Sequence, residues 1–296
     1  MSAASPRWRR LRAVVAVARA RPLVAAMFSV IAVYLGVALL VALGLLAPDW
    51  NDRVGPSLHA PSADYLLGTD RLGRSVLRKL LYGAQLSVSV ALFGSLVSLT
   101  VGTTLGVLAG AVRGRVDDFI VWLYSTVSAV PGLLLMLAMA FALRDATHFG
   151  WPLQGVPAIC LALGLTRWVG TCRLLRAEVI KQRERDYVTA AEALGLSTTQ
   201  VARRHILPNV LHLVIIELSL HAVGFIGAEV MLGFLGLGPT DAPSWGTMID
   251  EARFEIGQDA WWQMASVTGA IFLFSLALNI CGDALRDALD PRVAGR

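Results

Sequence analysis

The chain has 296 residues, of which 56% are hydrophobic and 16% charged, whereas about a quarter of an ordinary soluble domain is charged. That balance excludes a water-soluble globular protein, and several runs exceed the roughly 20 apolar residues needed to cross about 30 Å of hydrocarbon. The formal charge of +5 comes from 24 Arg and 2 Lys against 21 acids, and it follows the loops of a membrane protein rather than pointing to nucleic acid.

Residues 1–21 hold Arg7, Arg9, Arg10, Arg12, Arg19 and Arg21 and no acid, directly before an apolar run at residues 22–47. That run is too long for a signal peptide, and Ala47-Pro48-Asp49 is a poor cleavage site, so it reads as a retained first span with the N-terminus in the cytoplasm. Orientation alone accounts for the arginines, the alternative being a polybasic patch for lipid or RNA. Residues 48–84 form an extracytoplasmic loop. Within it, Thr69 or Asp70 is placed to cap a short amphipathic helix lying on the membrane surface with Leu77, Leu80 and Leu81 facing lipid or protein.

The second span, residues 85–111, carries Gly102, Gly106 and Gly110 at spacings of four, which predicts close helix packing. RGRVDD, residues 113–118, is an inside turn. The third span, residues 119–143, is interrupted by Pro131-Gly132, a bend or loosening that neighbouring protein must satisfy. An outside loop of residues 144–155 leads to the fourth span at residues 156–171, with Arg167 placed to reach the interface.

Residues 183–209 cannot sit in a bilayer, yet they carry strong local structure. Tyr187, Ala190, Ala191 and Leu194 form one apolar stripe at helical spacing, and Gly195 ends that helix. Ser197 and Gln200 have capping-box spacing for a second helix from about Thr198, which Pro208 is expected to stop. The result is a compact knob with Arg203, Arg204 and His205 on a polar face; the plain alternative is an ordinary helical loop.

The fifth span, residues 209–235, places Glu217, His221, Gly224 and Ala228 on one face. Ionisable groups in a span are costly and face the bundle interior or a water-filled path. This face, with Glu229, is therefore expected to line or border a pathway, although a hydrogen-bonded pair that only fixes packing fits equally. No further ligands accompany Glu217 and His221 for a metal. An irregular outer loop, residues 236–262, has Trp245, Trp261 and Trp262 as an interfacial belt. The sixth span, residues 263–282, returns to the cytoplasm. Eighteen Lys and Arg then lie inside and seven outside, a bias that fixes both termini in the cytoplasm.

Cys160, Cys172 and Cys281 fall in or at the ends of apolar runs, without metal-ligand spacing and without the look of a disulfide framework. The histidines, His59, His148, His205, His212 and His221, form no single constellation across the assigned sides, which argues against a membrane enzyme. No phosphate-binding GxxxxGK[ST] motif is present. No clear internal repeat supports a stand-alone ion-coupled secondary transporter.

Four segments in order, LGTDRLGR (residues 67–74), RDYVTAAEALG with RHILPN (185–209), FLGLG with SWG (234–246) and GDALRDALDPR (282–292), resemble the second-type ("C") inner-membrane permease of bacterial ABC importers for dipeptides, oligopeptides or nickel. The resemblance runs nearly end to end. It implies an all-α integral membrane protein with six transmembrane helices and a MetI-like type I ABC importer permease fold. The permease core covers residues 85–284, ahead of a cytoplasmic tail at 285–296.

In that family the knob is the EAA loop, which couples to a cytoplasmic ATPase. The carry-over falls on Asp186, Ala190, Ala191, Gly195, Arg204 and Pro208. Thr189 stands where the motif has glutamate, and the family's GRD and GAR read GRS and GAQ at Ser75 and Gln85.

The implied partners are a homologous second permease, two ATP-binding subunits that hold ATP and Mg, an extracytoplasmic solute-binding protein and membrane lipid. This chain itself would hold no cofactor and catalyse nothing. Asp241, Ser244, Trp245 and Gly246 are the expected docking residues for the binding protein. Peptide and nickel permeases share these motifs, so the substrate stays open between them.

Overall fold

A computed structural model describes residues 21–144, 155–239 and 242–289. The expectations placed on Arg7, Arg9, Arg10, Arg12 and Arg19, the 145–154 loop with His148, Asp241 and the terminal DPR lie outside the described residues. In chain order the helices are α1 (Pro22–Ala42), α2 (Val76–Ser89), α3 (Ser95–Val112), α4 (Arg115–Ala129), α5 (Gly132–Arg144), α6 (Val156–Arg183), α7 (Asp186–Ala193), α8 (Thr198–Val201), α9 (Leu207–Phe234), α10 (Trp245–Ile256) and α11 (Trp262–Leu289). Among the described residues, five helical stretches are long and apolar enough to cross a membrane, and six if α4 and α5 count as one broken span.

The predicted spans exist, with corrections at their edges. The expected surface helix is the start of the second span: helix runs from Val76 to Val112 without a gap, through a π-helical turn at Val90–Gly94. Its cap is Ser75, whose hydroxyl accepts from the Arg78 amide, and not Thr69 or Asp70. Pro131 does more than bend the third span, since α4 and α5 meet at 93°. The residue before a proline avoids the helical region, and Val130 is extended accordingly. The fourth span overshoots its predicted end at residue 171 by about three turns, to Arg183.

Pro208 does not stop a helix either. It sits in the first turn of α9, directly after a second π-helical turn at Ala202–Ile206. Proline lacks an N–H and its ring crowds the carbonyl four residues back, and a widened turn relieves that crowding while the helix continues.

The chain forms two compact units, one from residues up to Leu92 and from Ser219 onward, the other from Phe93–Leu218. In the first, Tyr34 on α1 donates to the carbonyl of Ala270 at 3.0 Å and stacks on Phe274 of α11 at 4.7 Å. Ala38, Val88, Ile226, Trp245 and Val267 complete its core.

In the second unit the glycine stripe of α3 lies against α6. A Cβ on Gly102 would stand 2.7 Å from the Trp168 carbonyl oxygen, and one on Gly106 2.6 Å from that of Cys172. The helices touch backbone to backbone there, as small residues four apart permit. Gly106→Val is therefore expected to cost at least about 1–3 kcal/mol by overpacking. A drop in the unfolding midpoint of the detergent-solubilised protein measures it, and an unchanged midpoint counts against this packing.

Candidate functional site

The knob is built on the second unit. Asp186 stands in the first turn of α7, where a negative charge favours the helix dipole. At the other end the Leu196 amide bonds to the Ala191 carbonyl at 3.2 Å and the Gly195 amide to that of Glu192 at 2.9 Å. These two bonds make a Schellman cap, which requires the left-handed conformation that Gly195 adopts at φ +82°. Ser197 and Gln200 then form the predicted capping box.

The inward face of α7 differs from the predicted stripe. Val188 and Ala191 are buried with Leu175, Val179, Val201 and Ile206, and Tyr187 packs partly against them. Ala190 is exposed, and Leu194 is 82% exposed. The helix is turned so that Asp186, Thr189, Ala190, Ala193 and Leu194 share the open face, at the spacing of one helical stripe. An exposed Ala and Leu stripe is costly to leave in water, and it has the form of a helix that lays its apolar face into a partner's groove.

The base of the knob is anchored by charge. Arg183 donates to the Ala111 carbonyl at 2.7 Å, satisfying an orphan acceptor in the last turn of α3. Arg176 of α6 grips Asp117 of α4 with two hydrogen bonds, the bidentate geometry that gives such pairs directional strength. Arg204 and Pro208 are exposed, so five of the six proposed coupling residues stand on the surface and Ala191 supports them from beneath.

On α9 the predicted polar face separates into different surroundings. Glu217, half-buried, accepts from Thr171 of α6 at 3.4 Å. His221 stacks on Phe225 with ring centroids 5.9 Å apart, and Gly224 is half-buried one turn on. Glu229 does not face an open path: it is 1% exposed and accepts from Ser87 of α2 at 3.0 Å. Ser87 in turn accepts from the Trp245 amide at 3.1 Å, so the carboxylate holds the start of α10 against α2.

The expected docking residues are also corrected. Ser244, Trp245 and Gly246 are buried. Ser244 caps α10 through a capping box with Thr247. A Cβ on Gly246 would lie 2.9 Å from the Glu229 carbonyl oxygen, and one on Gly233 2.7 Å from the Gly246 Cα. Gly246 of SWG and Gly233, just ahead of FLGLG, serve this close crossing. Gly236, at φ +75°, ends α9 with its own Schellman pair. Exposed apolar residues of the outer segments include Phe254, Ile256 and Trp261, with Leu66 and Leu72 in the first outer loop.

LGTDRLGR folds around Asp70, which serves as the centre of a charge cluster and not as a helix cap. Its carboxylate accepts the Leu72 and Arg74 amides, both at 2.9 Å, the Arg74 guanidinium at 2.7 Å and the Lys79 ammonium at 3.1 Å. Lys79 and Asp70 are each 1% exposed. Lys79 also reaches Glu251 of α10, and Glu255 accepts the Arg71 amide at 3.1 Å. The Trp262 indole donates to the Thr69 carbonyl at 2.9 Å, which closes the loop onto α11.

Burial works against charge on Asp70, but Lys79 and Arg74 outweigh it and hold its carboxyl below the ordinary range. Burial pushes Glu255 the other way, helped by Asp70 and Glu251 and opposed by the Arg71 amide and Lys79. The signs then oppose. A lowered folded-state pKa contributes stability that is lost as pH falls through it, whereas a raised one contributes stability that is lost as pH rises through it. Glu255→Gln keeps an acceptor for Arg71 and removes the buried charge. The variant is expected to melt higher than the parent at neutral pH, with the gap closing toward about pH 4, the ordinary glutamate range. A gap that widens in acid overturns this assignment.

No group of three or more His, Cys, Asp or Glu side chains among the described residues is arranged to hold a metal ion. Residues 102–295 match the family of binding-protein-dependent transport system inner membrane components. The chain is 37% identical to a di/tripeptide transport system permease protein of Pseudomonas aeruginosa, over 84% of this chain and 77% of that protein. It is 34% identical to a dipeptide permease of Bacillus subtilis, over 79% and 70%, and 30% identical to an oligopeptide permease of the same organism, over 79% and 73%. Its fold is similar to a chain of the inward-facing MetNI methionine ABC transporter, with a TM-score of 0.59 at 16% identity, covering 72% of this chain and 98% of that one.

Proposed function

The chain belongs to the family of binding-protein-dependent transport system inner membrane components, and from that premise we propose that it imports di- or oligopeptides as one permease of an ABC transporter. It is a multi-pass inner-membrane transport subunit rather than an enzyme. The exposed Ala190 and Leu194 stripe on a rigidly capped knob carries the reading. A cytoplasmic ATPase that takes this stripe into a groove would pass its opening and closing to α6 and α9 as rigid-body motion.

Peptide is favoured over nickel because the relatives compared above are peptide permeases. In this reading a second permease completes the path, to which Glu217, His221 and Gly224 contribute. ATP and Mg stay on the partner subunits. The binding protein meets exposed outer residues such as Phe254, Ile256 and Trp261 in place of the buried Ser244, Trp245 and Gly246.

Uptake by the native host, with and without this gene, decides the substrate. Loss of labelled dipeptide or tripeptide uptake with nickel uptake unchanged supports the reading, and the reverse pattern replaces it with a nickel permease. Uptake that survives ATP depletion but collapses with the proton gradient would favour a secondary transporter.

A further inference from the structure

Beside the knob, on the inner side, an apolar groove of about 280 Å³ runs between the end of α3 and the start of the helix leading into α9. Val107, Leu108, Ala111 and Val112 form one wall, and Ala202 and Leu207 stand across from them. Thr198, Thr199 and Arg203 line the same groove and are exposed. Leu108 and Val112 are 42% and 45% exposed, so the wall is open to what surrounds it.

Charge narrows the choice of occupant. Arg203 makes no ion pair among the described residues, and the residues that follow α3 include Arg113 at its cap and Arg115 at the start of α4. No acid lines the groove. An inner-side site that is apolar along its length and cationic at one residue matches an acyl chain ending in a negative headgroup, and the cytoplasmic leaflet is where anionic lipid gathers. A basic pocket between membrane helices on that side is a recognised headgroup site.

We propose that this groove binds an anionic phospholipid, with one acyl chain along α3 and the phosphate on Arg203, aided by the Thr198 and Thr199 hydroxyls. The lipid would bridge the end of α3 and the segment that leaves the knob, and so the knob's mobility would depend on the surrounding membrane. A neutral headgroup offers Arg203 no net charge, so the site discriminates by charge while the groove supplies general affinity.

The test uses the full chain purified in detergent together with whatever subunits accompany it, titrated with phosphatidylglycerol or phosphatidylcholine and read by native mass spectrometry. The parent is expected to retain one phosphatidylglycerol at least about fivefold more strongly than phosphatidylcholine, the worth of a single surface cation. Arg203→Glu should erase that preference without lowering the melting temperature. Val112→Trp, which fills the open wall, should remove both lipids while the same subunits stay bound.

Equal retention of both lipids by the parent overturns the proposal, as does equal phosphatidylglycerol binding by parent and variants. Binding that appears only after the accompanying subunits are stripped away also overturns it, since a protein partner then covers the groove. Loss of the subunits is read separately and bears on the transport assembly, not on the lipid.

Discussion

Lys79→Met is expected to destabilise the protein by about 3–5 kcal/mol, the cost of removing one partner from a buried ion pair. The cost lies in what Lys79 leaves behind. Asp70 is 1% exposed and retains its charge because Lys79 and Arg74 outweigh its burial. Without the ammonium, one cation must serve both Asp70 and Glu251.

The damage would spread, because the Asp70 loop also positions Arg71 for Glu255 and Thr69 for Trp262. Lys79→Met combined with Asp70→Asn removes both charges of the pair and keeps an acceptor for the Leu72 and Arg74 amides. It should recover a good part of the loss. Thermal unfolding in detergent, together with the amount of chain in the membrane, checks both. A single variant as stable as the parent, or a double variant worse than the sum of its singles, contradicts the account of this cluster.

Gly195→Arg is expected to abolish ATP-driven uptake while the chain still accumulates in the membrane. Gly195 adopts φ +82°, which costs an L side chain roughly 1–2 kcal/mol. Nothing stands within 4 Å of a Cβ there, so no clash inside this chain threatens the fold. Whatever the arginine disrupts must therefore come from outside. A central contact of this kind carries at least about 2 kcal/mol, or roughly a thirtyfold loss of affinity.

Gly195→Ala separates the two effects, since it keeps most of the backbone strain and adds almost no bulk. It should retain most uptake. If Gly195→Arg transports normally, the open face of α7 is not the contact with the ATPase. If alanine is as damaging as arginine, the backbone conformation matters and the added bulk does not.

Local chemistry in the sequence reaches the knob well and the outer platform poorly. Gly195 as a helix end and Ser197 with Gln200 as a capping box are decided within a few residues, and both appear as read. The glycines of α3 likewise announce their packing by spacing alone, although the partner helix is unnamed until the fold brings α6 to them.

The second span begins earlier than the polar composition of residues 48–84 suggests, because that segment's charges are neutralised by distant partners. Lys79 is buried because Asp70 meets it from the preceding loop and Glu251, 172 residues later, comes back to meet it as well. Long-range neutralisation leaves no periodic trace. Ser244, Trp245 and Gly246 show the same effect: a polar turn with a tryptophan reads as interface, yet Ser87 and Glu229 hold it inside. The orientation of α7 differs by about one residue from its apolar spacing, because an eight-residue helix rich in alanine offers two nearly equal stripes. Val188 decides between them by packing against Leu175 and Val179.

The most direct test of the transport reading is purification of the chain in mild detergent from its native host, with accompanying proteins identified by mass. The account predicts two partners of different kinds, a second membrane permease and ATP-binding subunits. It also predicts that Gly195→Arg retains the first and loses the second. A chain that purifies alone and carries out transport by itself would contradict it.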